Sequence, residues 1–110
     1  FGGGGLLSTT EDLSQFFLAL FQGKVYKKAS TLEKMLEPVS YSEPPMMDYR
    51  IGIYRIIVNG LEAFAHAGFW GTQVIYIPSL DLAMATNYSQ IWKGRVPPVF
   101  GEALNALGGK

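Results

Sequence analysis

The pair Asn59-Gly60, set between the β-branched and aromatic run Ile51-Gly52-Ile53-Tyr54-Arg55-Ile56-Ile57-Val58 and residues 61–66, limits most strongly the folds open to this chain. Asparagine and glycine tolerate the positive φ angles that a two-residue type I′ turn demands at both central positions, and extended flanks of this kind predict a β-hairpin. A third strand is expected at residues 73–77. There Ile75 and Ile77 fall on one face and Val74 and Tyr76 on the other, the pattern of a strand covered on both sides. Pro78-Ser79-Leu80-Asp81 reads as a turn, and residues 82–87 as a fourth strand.

The flanking segments read as helices. Ser8-Thr9-Thr10-Glu11 has the form of a capping box, in which the hydroxyl accepts an exposed helix amide and the glutamate reaches back to the cap. Leu13, Phe16, Phe17, Leu20 and Phe21 then follow the spacing of one apolar helix face, and Gly23 can take the left-handed conformation that stops a helix. Ser30-Thr31-Leu32-Glu33 repeats the start signal for a shorter helix carrying Leu32, Met35 and Leu36 and ended by Pro38. Residues 40–48, with Pro44-Pro45, read as a loop. Pro97-Pro98 can open a last helix whose Val99, Phe100, Ala103, Leu104 and Leu107 form a stripe able to cover a sheet face. Phe16, Phe17, Phe21, Tyr54, Tyr76 and Phe100 are expected in the core.

The expected architecture is α+β, one domain over residues 1–110 with an antiparallel sheet flanked by helices. At 110 residues only about two-thirds of the unfolded surface can be buried. Nine basic and nine acidic residues leave no excess charge to attract phosphate backbones, so nucleic acid is not an expected partner. The longest apolar runs fall well short of the roughly 20 residues that a bilayer span requires. With no cysteine, disulfides and thiolate metal sites are excluded and either redox compartment stays open. One histidine and scattered carboxylates offer no metal-ligand spacing, and no cofactor is expected; Gly2 to Gly5 does not fit a phosphate-cradling fingerprint. The chain opens on Phe1 and a glycine run with no signal-peptide character, and reads as beginning in mid-domain.

The chemistry-bearing candidate is the only histidine, in His66-Ala67-Gly68 ahead of Phe69-Trp70-Gly71-Thr72-Gln73-Val74-Ile75-Tyr76-Ile77-Pro78. Together with Gly3-Gly4-Gly5-Leu6-Leu7-Ser8-Thr9-Thr10-Glu11-Asp12-Leu13, the strand Tyr49-Arg50-Ile51-Gly52-Ile53 and a later strand ending in Asn87, the ordered set resembles the C-terminal portion of a serine β-lactamase/penicillin-binding-protein-like hydrolase. That resemblance implies a partial β-lactamase/penicillin-binding fold without its nucleophile helix. It also implies a parent activity of acyl transfer to water through an acyl-serine on a β-lactam, a D-Ala peptide or a simple ester or amide, and a bacterial periplasmic or secreted setting. His66 then stands where the family has its Lys-Thr-Gly or His-x-Gly triplet, on a sheet edge facing substrate, assisting carboxylate binding and proton traffic. Gly68 becomes the close-approach position, the Phe69 N–H an oxyanion donor, and Trp70 a lining residue of a substrate pocket.

Two motifs of that family are missing. The nucleophile pattern Ser-x-x-Lys puts a proton-accepting lysine on the serine's own helix face, and no serine of this chain has lysine three residues on; Thr31-x-x-Lys34 comes nearest and reads as a cap. Tyr-x-Asn is also absent, with Tyr88-Ser89-Gln90 only approximating it on the wrong side of the triplet. The chain is therefore expected to be inactive alone, partnered by the missing part of the fold or by a second copy. Taken without the resemblance, His66 reads as a strand histidine that merely hydrogen-bonds a neighbour, and Trp70 equally as a pocket residue or a cap on the core. Two other functions stay open: a self-associating binding or structural module derived from that fold, and a small ligand-binding α+β domain with a pocket beside Trp70.

Overall fold

Asn59 and Gly60 take φ angles of 50° and 78°, so the turn between β2 (Tyr54–Val58) and β3 (Leu61–Ala67) has the expected I′ signature. The structure, a computed structural model, describes residues 5–40, 48–89 and 96–108. Within them β1 (Asp48–Tyr49), β2, β3, β4 (Thr72–Ile77) and β5 (Leu82–Asn87) form an antiparallel sheet of five strands whose order in space is their order in the chain. Three helices, α1 (Thr10–Phe21), α2 (Ala29–Leu36) and α3 (Pro98–Ala106), complete an α+β domain.

The sheet separates two apolar clusters. On one face α3 sets Phe100 and Leu104 against Val58, Ala63, Ala65, Ile75 and Ile77. On the other, Phe17 and Leu20 of α1 meet Ile53, Phe64, Val74 and Tyr76, with Leu32, Met35 and Leu36 of α2 packed alongside. The rings of Phe21 and Tyr76 stack at 4.2 Å between centroids, and Phe64 adds a second stack on Phe21 at 5.5 Å. The division of β4 between the two faces follows its sequence alternation, as expected.

Several local expectations shift. The extended run through residues 51–58 is not one strand: Gly52 at φ 74° turns the chain, and β1 and β2 pair as a tight hairpin, which makes five strands where the sequence suggests four. α1 is capped by Thr9, whose hydroxyl accepts from the Asp12 amide at 3.0 Å, not by Ser8. The C-terminus of α1 follows the Schellman pattern, with Lys24 N–H donating to Ala19 O at 2.9 Å and Gly23 at φ 77°. α2 starts one residue before Ser30, with Lys28 in the cap position and no side-chain cap bond. On α1, Phe16 is 53% exposed and belongs to no core cluster, while Leu18 packs in its place; the covered face is rotated from the one expected. On α3, Val99 and Leu107 stay in solvent because the helix meets the sheet through Phe100 and Leu104. The loop at residues 40–48 falls, except at its two ends, outside the described residues, as do Gln90 and the opening glycines before Gly5.

One polar node ties the second cluster together. The hydroxyl of the buried Tyr76 reaches the part-buried rim of the cluster and donates to Asp81 Oδ1 at 2.7 Å, and the same carboxylate accepts from Gln22 Nε2 at 3.1 Å just past α1. Asp81 itself sits at φ 47°, ending the 3₁₀ turn Pro78–Leu80. Burial, then the hydrogen bond to Asp81 and its negative charge, push the Tyr76 phenol up from 10.0 to about 12.

This packing sets two expected outcomes. Leu104→Ala, at a position with 0% exposure, should cost about 2–5 kcal/mol, whereas Leu107→Ala, at 68% exposure, should stay within about 0.5 kcal/mol, both read from urea unfolding. Because the folded Tyr76 holds its proton more tightly than the unfolded chain, its contribution is complete below pH 10.0 and lost as pH rises from there through about 12. The alkaline unfolding limb of Tyr76→Phe should accordingly be shallower than that of the parent chain.

Candidate functional site

β3 carries His66 to the end of the ladder. β3 is the middle strand of the sheet, so the sheet-edge location implied by the family resemblance holds only locally: β2 pairs with β3 as far as Tyr54 opposite Ala65, whereas on the other side β4 continues to pair with His66 and Ala67. His66 is exposed. Its ring lies 5.7 Å from that of Tyr54 and 6.1 Å from that of Tyr49, which themselves meet at 4.5 Å. The Tyr49 hydroxyl stands 3.5 Å from His66 Nε2, at the outer limit of a hydrogen bond. Tyr54, expected in the core, is half-buried and helps to form this aromatic group.

A tight turn follows. Gly68 N–H donates to Thr72 O at 2.7 Å and Gly71 N–H to Gly68 O at 3.1 Å, with Phe69 and Trp70 held between them. Their rings meet edge-on at 4.9 Å and remain 62% and 68% exposed. Trp70 therefore does not cap the core. A Cβ built on Gly68 would meet Thr72 O at 3.6 Å, an ordinary contact, so the position demands no glycine for space; the residue the turn requires is Gly71, at φ 89°.

Beside this turn lies a cleft of about 560 Å³, bounded by Leu6, Leu7, Leu13 and Phe16 on the helical side and by Thr72 and Asn87 on the sheet side. Its sheet wall is fixed by the Asn87 side chain, which donates to Thr72 Oγ1 at 2.6 Å and accepts from the Ser89 amide at 2.6 Å. None of His66, Gly68, Phe69 and Trp70 lines it. The structure thus brings His66 together with Tyr49 and Tyr54 and places the apolar cleft beside the turn that follows it.

Charge around the aromatic group is internally paired. Asp48 bonds Arg50 at 2.9 Å, and Arg55 bonds Glu62 at 2.6 Å while reaching Asp48 at 3.8 Å. Arg50 also donates to the Leu36 carbonyl, tying the β1–β2 turn to the end of α2. The hydrogen bond from Arg50, joined by the charges of Arg50 and Arg55, holds the Asp48 carboxyl below its ordinary range against the opposing effect of burial. Among the described residues no group of three or more His, Cys, Asp or Glu could hold a metal ion, and no helix is long and apolar enough to cross a membrane.

Sequence reasoning missed Tyr49 as the neighbour of His66. The two are separated by a turn and a hairpin, and no local spacing announces the contact. No family model matches the chain, and no match was found among curated proteins or solved structures.

With one long hydrogen bond, two loose ring contacts and an exposed side chain, His66 contributes little to folding. His66→Ala should change stability by no more than about 0.5 kcal/mol in denaturant unfolding, against the roughly 1–3 kcal/mol lost when a buried hydrogen-bonding partner is orphaned.

Proposed function

We propose that this chain is the C-terminal part of a β-lactamase-related serine hydrolase, supplying one wall of an acyl-transfer site but not its nucleophile. The observation that carries the reading is the placement of the only histidine: exposed at the end of β3, beside a tyrosine hydroxyl, and directly before a turn that holds the Phe69 amide. In the reaction a serine oxygen from outside these residues would attack the acyl carbon. The developing oxyanion would take a hydrogen bond from the Phe69 N–H, and one such donor is worth about 10²–10³-fold in rate. His66 would hold the substrate carboxylate and pass protons, with Gly68 and Trp70 flanking the acyl group. Substrates on this reading are small acyl compounds: β-lactams, D-Ala peptides, or simple esters and amides. The setting would be periplasmic or secreted.

An alternative is a non-enzymatic module that associates with a second copy of itself. The exposed pair Phe69 and Trp70, with Leu6, Leu7 and Phe16 also in solvent, favours it.

One experiment addresses both. Loss of the nucleophile machinery typically costs on the order of 10⁶ in rate, so incubation with labelled penicillin or a fluorophosphonate should leave the intact mass unchanged. A D-Ala-D-Ala peptide should meanwhile shift the His66 ring resonances. A stoichiometric serine adduct would show that the chain carries its own nucleophile. Unmoved His66 resonances, with a dimer in sedimentation, would favour the module.

A further inference from the structure

The hairpin turn between β2 and β3 is also a chemically labile joint. Asn59 is followed by Gly60, the residue that least obstructs its own amide nitrogen, and both are exposed to water. The other two asparagines, Asn87 and Asn105, precede Tyr88 and Ala106, whose side chains hinder the same approach. The Asn59 amide also holds two elements together, since Nδ2 donates to Gly101 O at 3.1 Å and to Asn105 Oδ1 at 3.1 Å, joining the β2–β3 turn to α3. The fit is close, for a Cβ on Gly101 would come within 3.0 Å of Asn59 Oδ1.

We propose that Asn59 is a deamidation site whose conversion loosens the docking of α3 on the sheet. The Gly60 nitrogen, giving up its proton, attacks Asn59 Cγ; the N–Cγ bond forms, the Cγ–Nδ2 bond breaks, and Nδ2 leaves as ammonia with the proton that Gly60 lost. Water then opens the cyclic imide at either carbonyl, its hydroxyl adding to that carbon and its hydrogen to the nitrogen, giving aspartate or isoaspartate. No redox partner is involved. While α3 is docked, its two hydrogen bonds direct the Asn59 amide toward the helix, so conversion draws on moments when the helix has let go. Afterwards the amide donor is gone. Asn105 can turn its own amide toward the new carboxylate, but the Gly101 carbonyl can only accept and now faces another acceptor. Isoaspartate also adds a backbone carbon to a two-residue turn whose length sets the β2–β3 register. The reaction is irreversible, and docking is weakened by each conversion.

The test uses the full chain held at mildly alkaline pH, with peptide mapping and isoaspartate-specific methylation. Asn59 should convert ahead of Asn87 and Asn105, more slowly in the folded chain than in urea. Asn105→Ala, which removes one of the two anchors, should convert faster than the parent chain. Asn59→Asp, the direct mimic, should lower hydrogen-exchange protection of the Phe100 to Leu104 amides by roughly tenfold. Conversion of Asn59 no faster than of the other asparagines, an unchanged rate in Asn105→Ala, or parental α3 protection in Asn59→Asp would each overturn the proposal. The rate comparison stands even if Asn59→Asp fails to fold.

Discussion

The burial of β4 on both faces is the constraint on which the architecture rests. Ile75 and Ile77 form the floor beneath α3, and Val74 and Tyr76 form the floor beneath α1 and α2. A strand that served only one face would leave the other helix layer without a hydrophobic surface to dock on, since burial of apolar area is the main favourable contribution to such packing. Strict alternation makes this arrangement sensitive to register, because a slip of one residue exchanges every side chain between the faces. Register is held by the β4–β5 ladder and, just beyond the end of β4, by the Tyr76–Asp81–Gln22 node. That node satisfies the polar tip of a buried ring and anchors the end of α1 with the same carboxylate.

Features set by nearest neighbours in sequence were legible from it. Asn59-Gly60 announces its own turn, β4 its two faces, and Gly23 the end of α1, because each depends on a few adjacent residues. What failed depended on distant partners. Gly52 lies inside a run of strand-forming residues, and only the pairing of Tyr49 with Tyr54 shows that the chain reverses there. Ser8 and Thr9 are equivalent caps by residue type, and the path of the chain into α1 selects Thr9. The apolar stripe of α3 is wider in sequence than the sheet face can cover, so Val99 and Leu107 remain outside. The candidate site divides the same way. His66 was evident as the sole histidine beside glycines, whereas its contact with Tyr49 requires the folded chain.

The region around His66 combines a rigid base with an accessible ring. β3 is supported on one side by β4 up to Ala67, and the Arg55–Asp48 and Arg55–Glu62 pairs link the strands on its other side. A ring held there by aromatic neighbours keeps its orientation without needing to be buried, an arrangement suited to a group that must meet a partner from solution. The turn after it places two large rings in water, which is costly for a surface with no further use for them.

The sheet order carries a last consequence, for how the chain finds its structure. Every strand pairs with its neighbour in sequence, so the sheet can assemble by successive short closures with little loop entropy to overcome at each step. The helices close longer loops, α1 above all. Its packing partners on β4 and β5 lie about half the chain away or more, so docking it closes a longer loop than any hairpin of the sheet does. Seating α1 ties the first helix to the far edge of the sheet, β5, and covers a face that the meander alone would leave open.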